Sequence, residues 1–141
     1  MRSSSSTPLE ILVVDDDRVV ALLHKNQLRC SKIEPAPVIC SNGGEALNYL
    51  LRKDSAENTF LVLLDLNMPV VNGWKFLKEL KKDPPLAQIF VVIVTSSINQ
   101  KDQEKAQKYS SVIHFCPKPL SSSCVTTIKN LEQVRQFFRE D

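Results

Sequence analysis

Three stretches of this chain, Ile11 to Val14, Phe60 to Leu64 and Ile89 to Val94, are short, rich in β-branched residues and continuously apolar. Apolar runs of that length that do not alternate with polar residues are the pattern of strands covered on both faces. Ala36 to Cys40, and Val112 to Phe115 just ahead of Pro117, are weaker candidates for the same role. Between these runs the apolar positions recur with helical spacing. A first helix is predicted from Arg18 to Arg29, with Val19, Leu22 and Leu23 on one face and an acidic residue ahead of it to cap the free amides. A second, from Gly43 to Lys53, groups Leu47, Leu50 and Leu51. Asn72 begins a third, in which Trp74, Leu77 and Leu80 recur until Asp83-Pro84-Pro85 stops it. The fourth, Asn99 to Tyr109, reads NQKDQEKAQKY and has almost no apolar face, so it is expected to be held weakly and to lie mostly in water. The fifth, Ser121 to Arg139, carries Val125, Ile128, Leu131, Val134 and Phe138 as a stripe.

Strand and helix therefore alternate five times with short connections. This predicts an α/β fold with a doubly wound, five-stranded parallel sheet and helices on both faces, because right-handed crossovers leave few other arrangements. Ligands of such sheets bind beyond the carboxyl ends of the strands. Polar groups stand there: Asp15, Asp16 and Asp17 after the first strand, Asp65 after the third, Thr95 and Ser96 after the fourth, and Lys118 beyond the fifth. One acid of the triplet is expected only to cap the following helix, and Asp17 is the candidate. Taken singly, Thr95 reads as a hydroxyl closing a turn and Lys118 as a solvated lysine. Taken together, the groups form a constellation. Several carboxylates at one place cannot all stay ionised without a cation. Oxygen ligands without His or Cys favour a hard ion, magnesium rather than calcium. A carboxylate, a cation site, a hydroxyl and an ammonium are what phosphoryl transfer to a carboxylate requires. Asp65, with the most apolar surroundings, is the expected nucleophile. Lys118 lies between Pro117 and Pro119, and a cis bond beside one of these prolines would turn its side chain toward the site.

Composition narrows the field without adding chemistry. The 141 residues suit one domain, read as residues 9–141 behind a flexible tail of residues 1–8. A hydrophobic content of 43%, 24% charged residues and a net charge of +2 give no general reason to expect nucleic acid or membrane as a partner. No apolar run approaches the roughly 20 residues of a membrane span, and residues 1–8 lack the core of a signal peptide. Cys30, Cys40, Cys116 and Cys124 show no CxxC spacing, so four free, mostly buried thiols in a reducing cytoplasm are expected rather than zinc or a disulfide.

The landmarks ILVVDDD, LLDLNMPVVNGW, VIVTSS and PKPL, in that order from Leu9 to about Phe138, resemble the receiver domain of two-component response regulators. The resemblance implies the (βα)5 flavodoxin-like receiver fold and a stand-in for each group above. Asp65 would be the phosphoacceptor, receiving a phosphoryl group from a sensor histidine kinase or a histidine phosphotransfer protein. Asp15, Asp16 and Asp65, with the backbone carbonyl of Asn67, would hold Mg2+. Thr95 and Lys118 would bind phosphoryl oxygens, Ser96 would influence access of attacking water, and Phe115 would stand at the aromatic switch position. The fourth helix, fifth strand and fifth helix would be the surface that changes. The only catalysis implied is self-phosphorylation and self-dephosphorylation, in a monomer or weak dimer. The chain closes directly after the fifth helix, which leaves a stand-alone receiver without an output domain, the expected case, or a piece of a longer regulator.

A phosphohydrolase of the haloacid dehalogenase type also uses a strand-end aspartate, but on the first strand and as Asp-x-Asp, the second acid donating a proton. Here Asp65-Leu66-Asn67 stands on the third strand, and Asn has no proton to give. A nucleotide or flavin binder is disfavoured by three glycines and no phosphate-cradling motif. A pseudo-receiver is disfavoured because every reacting position is filled. Trp74 is read as a core or rim residue of the third helix, and His24 and His114 as structural or exposed.

Overall fold

The computed structural model describes residues 9–34, 36–68, 72–96 and 99–138, so the expected tail of residues 1–8 and a turn at Pro69 lie outside the described residues. The elements run β1 (Leu9–Val14), α1 (Arg18–Cys30), β2 (Val38–Cys40), α2 (Gly43–Arg52), β3 (Thr59–Leu64), α3 (Gly73–Lys82), β4 (Gln88–Thr95), α4 (Gln100–Ala106), β5 (Val112–Pro117) and α5 (Ser122–Lys129), followed by a 3-10 turn at Arg135–Phe137. All strand pairs are parallel and the order is β2-β1-β3-β4-β5, the doubly wound sheet expected from the alternation.

Continuous apolar runs work here because successive residues serve opposite layers. Leu12, Val14, Phe60, Val62 and Leu64 pack with Ala46, Leu50, Phe76, Leu77 and Ala106, under α2, α3 and α4. Ile11, Val13, Leu61 and Leu63 pack with Ala21, Leu28, Val125 and Ile128, under α1 and α5. At β4–β5 the register slips between Val91 and Val92, pairing them with Val112 and His114. The irregularity aims His114 and Cys116 to the layer of their partners Val92 and Val94, the α1 and α5 side.

Helix starts follow the capping chemistry. Asp17 Oδ1 accepts from the Val19 and Val20 amides, Asn72 Oδ1 from Lys75, and Asn99 Oδ1 from Asp102, so Asp17 is the cap that the triplet predicted. The docked faces are less well anticipated. Val19, Leu22 and Leu23 are 67%, 46% and 54% exposed, and α1 instead packs through Ala21, His24 and Leu28. Those residues are also three and four apart, and small Ala21 lets the helix approach the sheet more closely than a leucine would. Leu51 likewise points to solvent at 66% exposure, while Leu50 is buried.

The fifth helix is shorter than its stripe. It ends at Asn130, whose side-chain amide donates to the Thr126 carbonyl, while Thr126 and Thr127 hydroxyls donate back to Ser122 and Ser123 carbonyls. Such side-chain bonds compete with the helical ladder. Leu131, Val134 and Phe138 still reach the core, but from turns. Cys116 and Cys124 are joined by a disulfide, correcting the expectation of four free thiols; Cys30 is an exposed thiol and Cys40 a buried one. Their eight-residue separation spans a strand end, a loop and a helix start, and only the tight β5–α5 return brings the Cα atoms to 6.3 Å.

Candidate functional site

The sheet register delivers the strand-end residues to one place. Val14 pairs with Leu64, so the residues that follow, Asp15 and Asp65, leave the sheet side by side. Each is held by its own backbone: the Asp65 amide donates to the Val14 carbonyl at 3.0 Å, the Asp15 amide to Cys40 at 3.0 Å, and the Lys118 amide to Thr95 at 3.0 Å. The ladder thus continues one residue past the strands and fixes four side chains without a flexible linker.

Lys118 Nζ lies 2.8 Å from Asp15 Oδ2 and 3.2 Å from Asp65 Oδ2, with the two acids 3% exposed. Of the two bonds beside the flanking prolines, whose isomers the sequence left open, Lys118–Pro119 is cis. Asp15 Oδ1 accepts from the Asp17 amide at 2.9 Å, and Asp65 Oδ1 from the Asn67 amide at 3.2 Å. Burial raises the pKa of Asp65 above its ordinary value, and the negative Asp15 adds to this, while the Asn67 amide and the Lys118 ammonium work the other way. For Lys118, burial disfavours the ammonium, but its bonds and charge attraction to Asp15 and Asp65 outweigh that and raise its pKa.

Two observations point to what belongs in this pole. The Thr95 hydroxyl oxygen is buried and has no hydrogen-bond partner among the described residues. A buried hydroxyl left unpaired costs about 1–3 kcal/mol, so a ligand oxygen beside it would recover that energy. Asp15, Asp16 and Asp65 each offer a carboxylate oxygen within 4.8 Å of the others, with Asp16 exposed to solvent. An all-oxygen, open-sided set of acids fits Mg2+. Ser96 is exposed beside the site, and Phe115 is half-buried against the layer under α2, α3 and α4. Asp17 is committed to α1.

Two further residues shape the site, and sequence reasoning gave them lesser parts. A Cβ on Gly73 would stand 2.7 Å from the Asp65 carbonyl oxygen and 2.8 Å from Leu66 Cα, and the Gly73 amide donates to the Leu66 carbonyl at 3.1 Å. Asn72 was legible as a helix start, but the reason for glycine at position 73 is this close approach beneath the strand end that carries Asp65. His24 is 2% exposed, and its Nε2 accepts from the Leu120 amide at 3.3 Å, tying α1 to the loop that carries Lys118. Burial lowers its pKa, with Asp15 opposing and Lys118 assisting. Its position on the inner face of α1 was the available signal, hidden by the louder leucines on either side.

α4 is attached lightly, as its composition predicted. Ala106 is its one buried residue, and Lys105 Nζ sits 4.3 Å from the Trp74 ring centre, with Trp74 itself 6.5 Å from Tyr109. Trp74 is half-buried at the rim of α3.

Comparison with known proteins bears on the whole chain. Residues 11–128 match the response regulator receiver domain family. Response regulator Rcp1 of Synechocystis is 35% identical over 105 residues, covering 72% of this chain and 71% of that protein. A solved two-component response regulator from Legionella pneumophila superposes with a TM-score of 0.69 at 28% identity, covering 85% of this chain and 94% of that one. One from Cytophaga hutchinsonii superposes with a TM-score of 0.74 at 23% identity, over 88% and 96% of the chains, a likeness of fold.

Proposed function

This chain belongs to the response regulator receiver family, and from that premise we propose that it is the phosphoacceptor module of a two-component phosphorelay, taking a phosphoryl group on Asp65. Receiver domains of this family work with histidine kinases or phosphotransfer proteins. A carboxylate oxygen of Asp65 attacks the phosphorus of a phosphohistidine; the new P–O bond replaces P–N, and the imidazole leaves with the electron pair and takes up a proton. The observation that carries the reading is the Thr95 hydroxyl, buried and unpartnered among the described residues, at the same strand-end pole as the Asp15–Lys118–Asp65 bridge. It supplies a donor for a phosphoryl oxygen, and Lys118 supplies a cation for another.

Asp15, Asp16, Asp65 and the Asn67 carbonyl would hold Mg2+, which when bound neutralises the entering group's charge. The chain's own parts do the rest. Burial keeps bulk water from Asp65, exposed Ser96 borders the path by which water reaches it, and Lys118 can exchange a carboxylate partner for a phosphoryl oxygen. Thr95 leads toward lightly held α4, so drawing its hydroxyl to phosphate biases an element with little packing to resist, and Phe115 then follows as the aromatic position of the switching α4–β5–α5 surface. The apolar, exposed Val19, Leu22 and Leu23 of α1, which begins one residue after capping Asp17, give the donor protein an apolar surface beside the acceptor. The protein acts in the cytoplasm as a self-modifying switch rather than a turnover enzyme, without contact to nucleic acid or membrane. No helix among the described residues is long and apolar enough to cross a membrane.

Incubation with Mg2+ and a small acyl phosphate, followed by intact mass measurement, tests this. One acid-stable, base-labile phosphoryl adduct is expected on the wild type and none on Asp65→Asn. An undiminished adduct on that variant, or steady turnover of simple phosphate esters by the wild type, would sink the proposal.

A further inference from the structure

The β5–α5 return holds a second chemical group that phosphoryl transfer does not use. Cys116, buried at 0% exposure, and half-buried Cys124 are bonded across the segment Pro117–Ser123, which contains Lys118 and the Leu120 amide that His24 binds. The lysine's segment is therefore tethered at both ends to the same covalent bond. His114 shares the face of Cys116 through the β4–β5 register, and a ring nitrogen of His114 and the two sulfurs lie within 4.8 Å of one another. Burial lowers the His114 pKa, so the imidazole is available as a proton acceptor near neutral pH. Cys124 is the third residue of α5, its amide bonded to the Ser121 hydroxyl. A thiol in the first turn of a helix is shifted toward thiolate by the amides at that end.

We infer that Cys116 and Cys124 form a reversible thiol–disulfide site, with His114 as its proton carrier, that is exchanged by a dithiol reductant and sets the behaviour of Lys118 in phosphoryl transfer. The link to Lys118 and the reducing surroundings rest on the function proposed above; the thiol pair itself does not. Disulfides in reducing compartments are usually transient, catalytic or sensing rather than structural, which favours an exchangeable bond here. The more accessible sulfur, Cys124, is the one attacked. A thiol of the reductant, giving its proton to His114, forms a mixed disulfide with Cys124 as the Cys116–Cys124 bond breaks, and Cys116 leaves as thiolate and takes that proton from His114. The reductant's second thiol then displaces Cys124, giving the dithiol protein and the oxidised reductant, two electrons and two protons having passed. Opening the bond removes the covalent cross-link across the Lys118 segment and leaves the Lys118–Thr95 backbone hydrogen bond and the Leu120–His24 hydrogen bond to hold it.

Thiol titration in denaturant, on protein purified without reductant and again after treatment of the native protein with dithiothreitol and its removal, reads the pair directly. Two titratable thiols, Cys30 and Cys40, are expected before reduction and four after it. Four thiols from the start would overturn the inference. The coupling is read as the rate of phosphorylation by a small acyl phosphate and the lifetime of the adduct in the two redox states. A change of about threefold or more in either is expected for the wild type and none for Cys124→Ser, whose half-buried position spares the core. Identical kinetics in both states would overturn the coupling. If Asp65 takes no phosphoryl group in either state, the proposed function fails, while the thiol count still decides the redox site. Cys116→Ser, if it folds, is expected to match Cys124→Ser.

Discussion

Burial of Asp65 disfavours its ionised form, and the Asn67 amide and Lys118 only partly offset this. Asp65→Asn is therefore expected to raise the thermal midpoint of metal-free protein at neutral pH. The sign follows from linkage: a carboxyl whose folded pKa is raised contributes stability below its unfolded pKa and loses it as pH rises through the folded one, so the advantage of the variant should shrink on acidification. His24 works with the opposite dependence. It must be neutral at Nε2 to accept from Leu120, and its folded pKa is lowered from 6.5. Its contribution is present above that value and is lost as pH falls through the folded pKa. His24→Leu is expected to cost about 1–3 kcal/mol at pH near 7.5, from the orphaned Leu120 amide, and to flatten the stability profile toward pH 5, as chemical denaturation at both pH values would register. His24→Gln, retaining an acceptor, should flatten the profile at a smaller cost. Gly73→Ala places a methyl against the Asp65 carbonyl and Leu66 Cα; a loss of about 1–3 kcal/mol and slower phosphorylation are expected together, since the backbone that yields is that of Asp65, the proposed acceptor.

At the scale of elements, the five strands and the acids at their ends were legible because two-faced burial writes itself as uninterrupted apolar runs, and parallel order then leaves one pole for polar residues. Helix faces were harder to read. Val19 to Leu23 is five apolar residues in a row, and a helix cannot turn all of them inward; the sheet took small Ala21 and His24, and left the larger side chains outside. That exposed strip makes a prediction of its own. Leu22→Asp should change stability by no more than about 0.5 kcal/mol, as surface substitutions usually do. It should weaken phosphoryl transfer from a protein donor about tenfold, and leave transfer from a small acyl phosphate unaltered. Equal effects with both donors would show that α1 is no docking surface. The end of α5 was misread for a different reason: Leu131, Val134 and Phe138 keep helical spacing, yet reach the core from turns after Asn130 has closed the helix.

Across the whole molecule, the site draws on four of the five strand ends at the sheet's carboxyl edge: β1 brings Asp15, β3 Asp65, β4 Thr95 and the β5 exit Lys118. The parallel alternation of strands and helices made this convergence readable from the sequence, whereas the Cys116–Cys124 bond and the His24–Leu120 link depend on how closely loops return, which no local pattern records. If the acids hold Mg2+, the ion should stabilise the fold by about 2.7 kcal/mol at a hundredfold excess over its Kd, with the gain abolished in Asp15→Asn, as melting curves across a magnesium titration would reveal. The account as a whole turns on which atom takes the phosphoryl group. Borohydride converts an aspartyl phosphate to homoserine, so peptide mass mapping of the phosphorylated, reduced protein locates the acceptor. Homoserine at residue 65 alone is the predicted result; homoserine at Asp15 or Asp16, or none anywhere, would contradict it.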